Sequence, residues 1–152
     1  MWIFKSFVMN VSFLSPKNPK LKKNFLGKAE LPSSNQYEYL ARKVSDRMGG
    51  PSDTILENSE SHLEELRKNI GNAVPLGSIR LGVCRHRAIL FKVVCDYLGL
   101  KSRLVRGKME DCPHAWNIIK QNEEYHLVDV MNSPDRLLKE GEKKIPQKSS
   151  IE

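Results

Sequence analysis

The sequence predicts an α+β domain in which helices pack on one side of an antiparallel sheet. Up to Gly99, apolar residues recur at intervals of three and four, the spacing of helices with one buried face. After Gly99 the interval becomes two, which is typical of strands. Since these strands follow one another with short polar segments between them, we expect them to pair as antiparallel neighbours.

The first predicted helix covers 36–48. Ser33 and Gln36 have the spacing of a capping box, and the apolar residues that follow form one stripe. The segment 49–51, Gly-Gly-Pro, then ends the helix, because glycine readily closes a helix and proline cannot continue it.

Two further helices are predicted at 61–70 and 84–98. Ser61 and Glu64 again have capping-box spacing, so the second helix is expected to begin at Ser61. The third helix opens at Cys84, keeps its apolar side chains on one face and ends before a glycine. This third helix is the central helix of the predicted domain.

Three strands are predicted, at 102–106, 114–120 and 125–130. The last two are joined by a short polar turn near 121–124 and therefore form a hairpin. Their large apolar side chains are assigned to the core; these are Trp116, Ile118 and Val128.

Both ends of the chain are predicted to lie outside this domain. Residues 1–36 hold six lysines and one glutamate, and therefore most of the formal charge of +7. We expect 1–35 to be a leader and basic linker, 36–138 to be the folded domain and 139–152 to be a flexible tail.

Composition and cysteine usage restrict the class of protein. The lysine-rich segment 15–35 holds a single aromatic residue, Phe25, so no specific nucleic-acid partner is predicted, only weak contacts with acidic surfaces. The apolar start of the chain is interrupted by Lys5, Ser6 and Asn10, so neither a signal peptide nor a membrane span is predicted. Three cysteines, an odd number, favour reduced thiols and a cytoplasmic location.

Cys84 is the candidate nucleophile. It lies in the first turn of its helix, where unpaired backbone N–H groups and the helix dipole stabilise a thiolate, and Arg85 and Arg87 add positive potential. The alternative is a small apolar residue at a helix start. Cys95, on the apolar stripe, is interpreted as part of the core, and Cys112 is expected to be an exposed thiol in a loop.

His114 and Asp129 are the candidate partners of Cys84. His114 begins one strand and Asp129 lies in the next, so a two-residue turn at 121–122 makes them face each other and a four-residue turn makes them diagonal neighbours. A carboxylate in an apolar strand needs a partner. A Cys–His–Asp relay supplies one, with the carboxylate orienting the imidazole and the imidazole taking the thiol proton.

Four further residues are candidates for supporting roles around this site: Arg85, His86, Trp116 and Asn117. His86 is two residues from Cys84 and points elsewhere around the helix, so it is expected to face solvent or to support the site. Trp116 is expected in the core or the cleft wall. Asn117 and Ser78 are candidate donors to an oxyanion formed at Cys84.

The segments GVC, GLKSRLVRG, HAWN and HLVDVM together resemble the transglutaminase-like branch of papain-fold enzymes. Within it, 74–107 is most similar to the peptidase-like domain shared by armadillo repeat-containing protein 3 and the plant Raf-like kinases of ethylene and disease-resistance signalling. The resemblance covers 36 to about 138. It implies that Cys84 is the nucleophile, His114 the base and Asp129 the orienting acid, and that the domain serves regulation or binding in many relatives.

Two other readings stay open beside thiol catalysis. Two Cys-x-His pairs, at 84–86 and 112–114, could in principle hold zinc, but the usual spacing of zinc cysteines is missing and neither a metal nor another cofactor is predicted. A domain for regulation or protein interaction explains the charged surface equally well. A protein or peptide partner is expected under either function.

Overall fold

The computed structural model describes residues 35–51 and 55–139. Three helices precede a four-stranded antiparallel sheet, which confirms the predicted α+β class. The helices are α1 (Gln36–Arg47), α2 (Ile55–Ile70) and α3 (Cys84–Tyr97), with a 3₁₀ turn at Leu76–Ser78. The strands are β1 (Arg103–Met109), β2 (Cys112–Gln121), β3 (Glu124–Val128) and β4 (Leu138–Lys139), in the sheet order β1-β2-β3-β4. Within the described ranges no helix is long and apolar enough to cross a membrane.

The helix α2 begins earlier than the sequence suggested. Ile55, Ser59 and Leu63 follow at intervals of four and form its buried face. Ser61 is an exposed residue in the middle of this helix, so its assignment as an N-cap is wrong. The capping box proposed at Ser33 lies outside the described residues.

Both hairpins of the sheet close with two-residue turns of left-handed backbone. The turn between β2 and β3 is Asn122-Glu123, with φ of 52° and 62°, and the turn between β1 and β2 is Glu110-Asp111, with φ of 48° and 65°. Turns of this hand match the twist of the paired strands. Cys112 therefore begins a strand and does not lie in a loop, although it is exposed as expected.

The face of the sheet that packs on α3 is not the one predicted. Ala115, Asn117 and Ile119 of β2 are buried, whereas Trp116 and Ile118 are only half-buried on the other face. Because both sets are largely apolar, alternation alone does not tell which face the helices cover. The core consists of buried side chains from all three helices and the sheet, among them Leu40, Val44, Leu63, Phe91, Val94, Cys95, Ile119 and Val128.

Arg87 is fully buried and ties α1 to the segment that leads into α3. Its guanidinium donates to the Gly82 carbonyl at 2.6 Å through Nε and to the Met48 and Gly50 carbonyls at 3.0 and 2.9 Å. A fourth bond goes to the Ser45 hydroxyl at 3.0 Å. Met48 and Gly50 lie at the C-terminal end of α1, where the helix dipole is negative, so backbone carbonyls stabilise the buried cation there.

Replacing Arg87 by Met should therefore destabilise the domain far more than removal of an exposed arginine. The Gly82 and Gly50 carbonyls would lose their Arg87 donor and the Met48 carbonyl would keep only the Gly82 N–H, so we expect the free energy of unfolding to fall by about 3 kcal/mol. The matched control is Arg42→Met, which breaks an exposed ion pair with Asp135 and should cost less than about 1 kcal/mol. Equal urea midpoints for the two variants would contradict this role of Arg87.

Candidate functional site

Gly82 sets the approach of the chain to Cys84. Its N–H donates to the Met48 carbonyl at 3.1 Å, and its own carbonyl accepts the 2.6 Å bond from Arg87. A Cβ at this position would lie 2.2 Å from the Met48 sulfur and 3.2 Å from the Met48 Cβ, so a side chain would require Met48 or the segment itself to shift. Only glycine permits this close approach, which delivers Cys84 to the start of α3.

His86 completes the start of α3. It is 2% exposed, and its Nδ1 accepts the Val83 N–H at 3.1 Å. Burial, together with the charges of Arg85, Arg67 and other cationic neighbours, lowers the pKa of His86 to about 3, so the ring stays neutral and able to accept. Of the two roles expected for His86, exposure to solvent is wrong, and the ring supports the turn that carries Cys84.

His114 and Asp129 are in contact. His114 Nε2 lies 2.9 Å from Asp129 Oδ2, and the two side chains are 10% and 0% exposed. Asn117 pairs with Val128, so Asp129 follows the end of β3 as the diagonal neighbour of His114. The turn between β2 and β3, at Asn122-Glu123, lies one residue later than the two-residue turn considered at 121–122. Asp129 lies just after β3 and not within it.

Asp129 is held by backbone and side-chain donors from the turn after β3. Its Oδ1 accepts the N–H groups of Met131 and Asn132 at 3.2 and 3.1 Å, and its Oδ2 accepts the Asn132 side-chain amide at 3.1 Å. Asn132 was not predicted as a site residue. The Asn-Ser-Pro sequence at 132–134 predicts a turn shortly after Asp129, and this turn could have indicated that Asn132 bonds the Asp129 carboxylate.

The Cys84 thiol is hydrogen-bonded to the same His114 ring. Burial of the thiol opposes its ionisation, but hydrogen bonds from the His114 ring and from the Ala115 and Arg85 backbones outweigh burial and lower the pKa of Cys84. The His114 charge adds to this effect. The structure thus brings together all three residues predicted for the relay, with the thiol half-buried and the carboxylate fully buried.

Trp116 and Gly107 shape the other side of the His114 ring. The Trp116 and His114 rings are stacked, with centroids 6.0 Å apart and planes at 24°. Gly107 pairs with His114 across the strands, and a Cβ at Gly107 would lie 2.7 Å from the Trp116 ring. Trp116 therefore lies in the wall of the site, one of the two positions expected for it.

Asn117 joins the strand of His114 to the helix of Cys84. It is fully buried, and its Nδ2 donates to the Ala88 carbonyl at 3.1 Å. This bond uses one of the two amide protons of Asn117 and links the sheet to α3 one turn beyond Cys84. Asn117 therefore aligns the two elements of the site.

The four cysteine and histidine residues of the zinc alternative do not form a cluster. Among the residues that the structure describes, no group of three or more His, Cys, Asp or Glu side chains is arranged to hold a metal ion. The Nδ1 of His86 already accepts the Val83 N–H.

Comparison with known proteins identifies a family. The family model described as EDR1/CTR1/ARMC3, peptidase-like, matches residues 18–138. The chain is 40% identical over 108 residues to "Probable serine/threonine-protein kinase SIS8" of Arabidopsis thaliana, covering 65% of this chain and 10% of that protein. It is 34% identical over 132 residues to armadillo repeat-containing protein 3 of Homo sapiens, covering 74% and 15%.

A third relative is serine/threonine-protein kinase CTR1 of Arabidopsis thaliana, 32% identical over 108 residues that cover 66% of this chain and 13% of that kinase. The chain thus spans between a tenth and a sixth of the length of these relatives. No solved structure matches the chain significantly.

Alkylation should distinguish the three cysteines by pH. Because the pKa of Cys84 is lowered, its thiolate persists as the pH falls, and iodoacetamide at pH 6 should label Cys84 before the exposed Cys112. Burial raises the pKa of Cys95 to about 12, so Cys95 should stay unlabelled in the native protein. Peptide mapping by mass spectrometry reads all three rates, with His114→Ala as the variant that should abolish the preference. Labelling of Cys84 no faster than Cys112 would show that the thiol is not activated.

Proposed function

The chain belongs to the EDR1/CTR1/ARMC3 peptidase-like family, and we propose that it is a peptidase-like domain in which Cys84, His114 and Asp129 form a thiol catalytic triad. The observation that carries the proposal is the 2.9 Å bond between the His114 ring and the buried Asp129 carboxylate, beside a thiol whose pKa is lowered by the same ring. The position of Cys84 at the first residue of α3 supports a papain-like or transglutaminase-like arrangement, with the nucleophile at a helix N-terminus.

The proposed reaction begins when His114 takes the proton of the Cys84 thiol. The thiolate then attacks an amide carbonyl, forming an S–C bond, and the C–N bond breaks as His114 passes the proton to the leaving amine. Backbone N–H groups in the first turn of α3 lack intrahelical acceptors and are available to the transient oxyanion. The acyl group is left on the sulfur as a thioester.

The second step sets the product class. Attack by water releases a carboxylate, and attack by an amine forms a new amide, with His114 as the general base in both cases. The first amide can belong to a peptide bond, an isopeptide bond or a side-chain amide. A protein or peptide is therefore the expected partner, and the chemistry requires neither metal nor cofactor.

A second function is favoured by the comparison with relatives. The matched region is a small part of two kinases and of an armadillo-repeat protein, which supports a regulatory or protein-interaction role inside a larger protein. We assign that role to 36–138. Free cysteines among the described residues support a cytoplasmic location.

An activated ester tests whether the triad is competent. With p-nitrophenyl acetate, the protein should release nitrophenol in a burst and carry an acetyl group on Cys84, detected by intact-mass and peptide mass spectrometry. Cys84→Ser should lose the burst and Cys112→Ser should keep it, since Cys112 lies outside the relay. Acetylation of Cys84 no faster than that of Cys112 would favour a domain used only for regulation or interaction.

A further inference from the structure

A row of apolar side chains runs along the sheet from His114, on the face opposite the one that packs on α3. Residues two apart on a strand share a face, and so do residues paired across neighbouring strands. The row follows β2 away from His114 and includes the partners of its residues on β1 and β3. Its members are Trp116, Ile118, Val105 and Leu127.

These four side chains are separate from the main core. All four are half-buried. In the described part of the chain, none of them belongs to the core or to the partly buried side chains that pack against it. By contrast, Asn117 and Ile119, on the helix-facing side of β2, are 0% and 2% exposed. The row is therefore an apolar surface that begins at the site.

Trp116 brings this surface close to the thiol. Its ring is stacked with the His114 ring, with centroids 6.0 Å apart. A Cβ at Gly107 would lie 2.7 Å from the far edge of the indole, and Gly107 is the strand partner of His114, so the indole leans along the sheet toward the site. The same imidazole is hydrogen-bonded to the Cys84 thiol. With a hydrogen bond of ordinary length, the centre of the indole lies within roughly 11 Å of the sulfur, the span of about three extended residues.

We propose that Trp116, Val105 and Ile118 select acyl donors that carry a large apolar group close to the reacting carbonyl, that is, a peptide segment with aliphatic or aromatic side chains there. The inference rests on the proposed thiol chemistry and names its substrate class. An apolar group typically binds about fourfold more tightly for each methylene that it fully buries. Because the thiol and the apolar surface meet at the His114 ring, a group attached near the reacting carbonyl gains this contact.

Two uncharged alkylating reagents, iodoacetamide and N-hexyliodoacetamide, test the surface without requiring catalysis. In both reactions the Cys84 thiolate displaces iodide, so only the hexyl chain differs. The ratio of the hexyl rate constant to the iodoacetamide rate constant at Cys84, divided by the same ratio for free N-acetylcysteine, reports the contribution of the surface. In the intact protein this normalised ratio should be about five or more, and Trp116→Ala should bring it close to one. A normalised ratio near one in the intact protein would overturn the inference.

A second variant keeps the test decisive if loss of the indole disturbs the fold. Val105→Thr/Ile118→Thr retains β-branched side chains on both strands and places hydroxyl groups in the apolar row, so it should lower the normalised ratio about twofold or more. The matched control is Leu56→Thr/Ile70→Thr, which removes two apolar side chains of α2 that are 64% and 50% exposed. It should leave the ratio unchanged. An equal fall in the two double variants would show that the preference does not come from this surface.

Acylation tests the substrate class itself. Relative to N-acetylcysteine, p-nitrophenyl hexanoate should acylate Cys84 faster than p-nitrophenyl acetate, and Trp116→Ala should remove this advantage. Peptide mass spectrometry measures both acyl products on Cys84. Equal normalised rates for the two esters would contradict selection of apolar acyl donors. Failure of both esters to acylate Cys84, with the alkylation preference retained, would contradict the proposed triad and support the apolar binding surface.

Discussion

A buried guanidinium that bonds three carbonyls and a hydroxyl joins the end of α1 to the start of α3, where the proposed nucleophile lies. Arg87 belongs to α3, yet its bonds reach Ser45, Met48 and Gly50 at the end of α1 and Gly82 just before Cys84. One side chain therefore determines where α3 begins relative to α1. Burial lowers the pKa of Arg87, and attraction to Cys84 opposes that effect, so the cation and the thiol stabilise each other's charged forms.

The proposed relay depends on this junction and on the pairing of the strands. Asn117 bonds the Ala88 carbonyl and so fixes β2 against α3, which brings the His114 ring to the thiol. The turn at Asn122-Glu123 sets the register that makes Asp129 a diagonal neighbour of His114. A shift of one residue would turn Asp129 to the opposite face of the sheet. Gly82 and Gly107 serve the same geometry, since each leaves space that a neighbouring side chain occupies.

Much of this arrangement is readable from the sequence. The helical and strand periods locate α1 and α3 to within one residue, and the spacing of Cys84, His114 and Asp129 along a helix and a hairpin predicts their meeting. The start of α2 was missed because a capping-box spacing at Ser61 competed with the buried Ile55, which extends the apolar face. Local propensity is a weak guide where tertiary burial decides the boundary.

The remaining errors concern tertiary contacts. The choice of sheet face for Trp116 depends on which side α3 packs, and the two-residue strand β4 depends on pairing with β3. Asn132 was missed because its role is defined by the turn after Asp129 rather than by a motif. The network around Arg87 could not be anticipated, since an arginine on a helix is ordinarily a surface residue.

A double-mutant cycle on the acylation of Cys84 tests the relay most directly. Acylation rate constants with p-nitrophenyl acetate would be measured for the intact protein, Asp129→Asn, His114→Ala and the double variant. If Asp129 acts only by orienting His114, its replacement slows acylation when His114 is present and has no further effect when His114 is absent. Equal slowing by Asp129→Asn in both backgrounds would contradict a relay and would leave Asp129 as a residue of the fold alone.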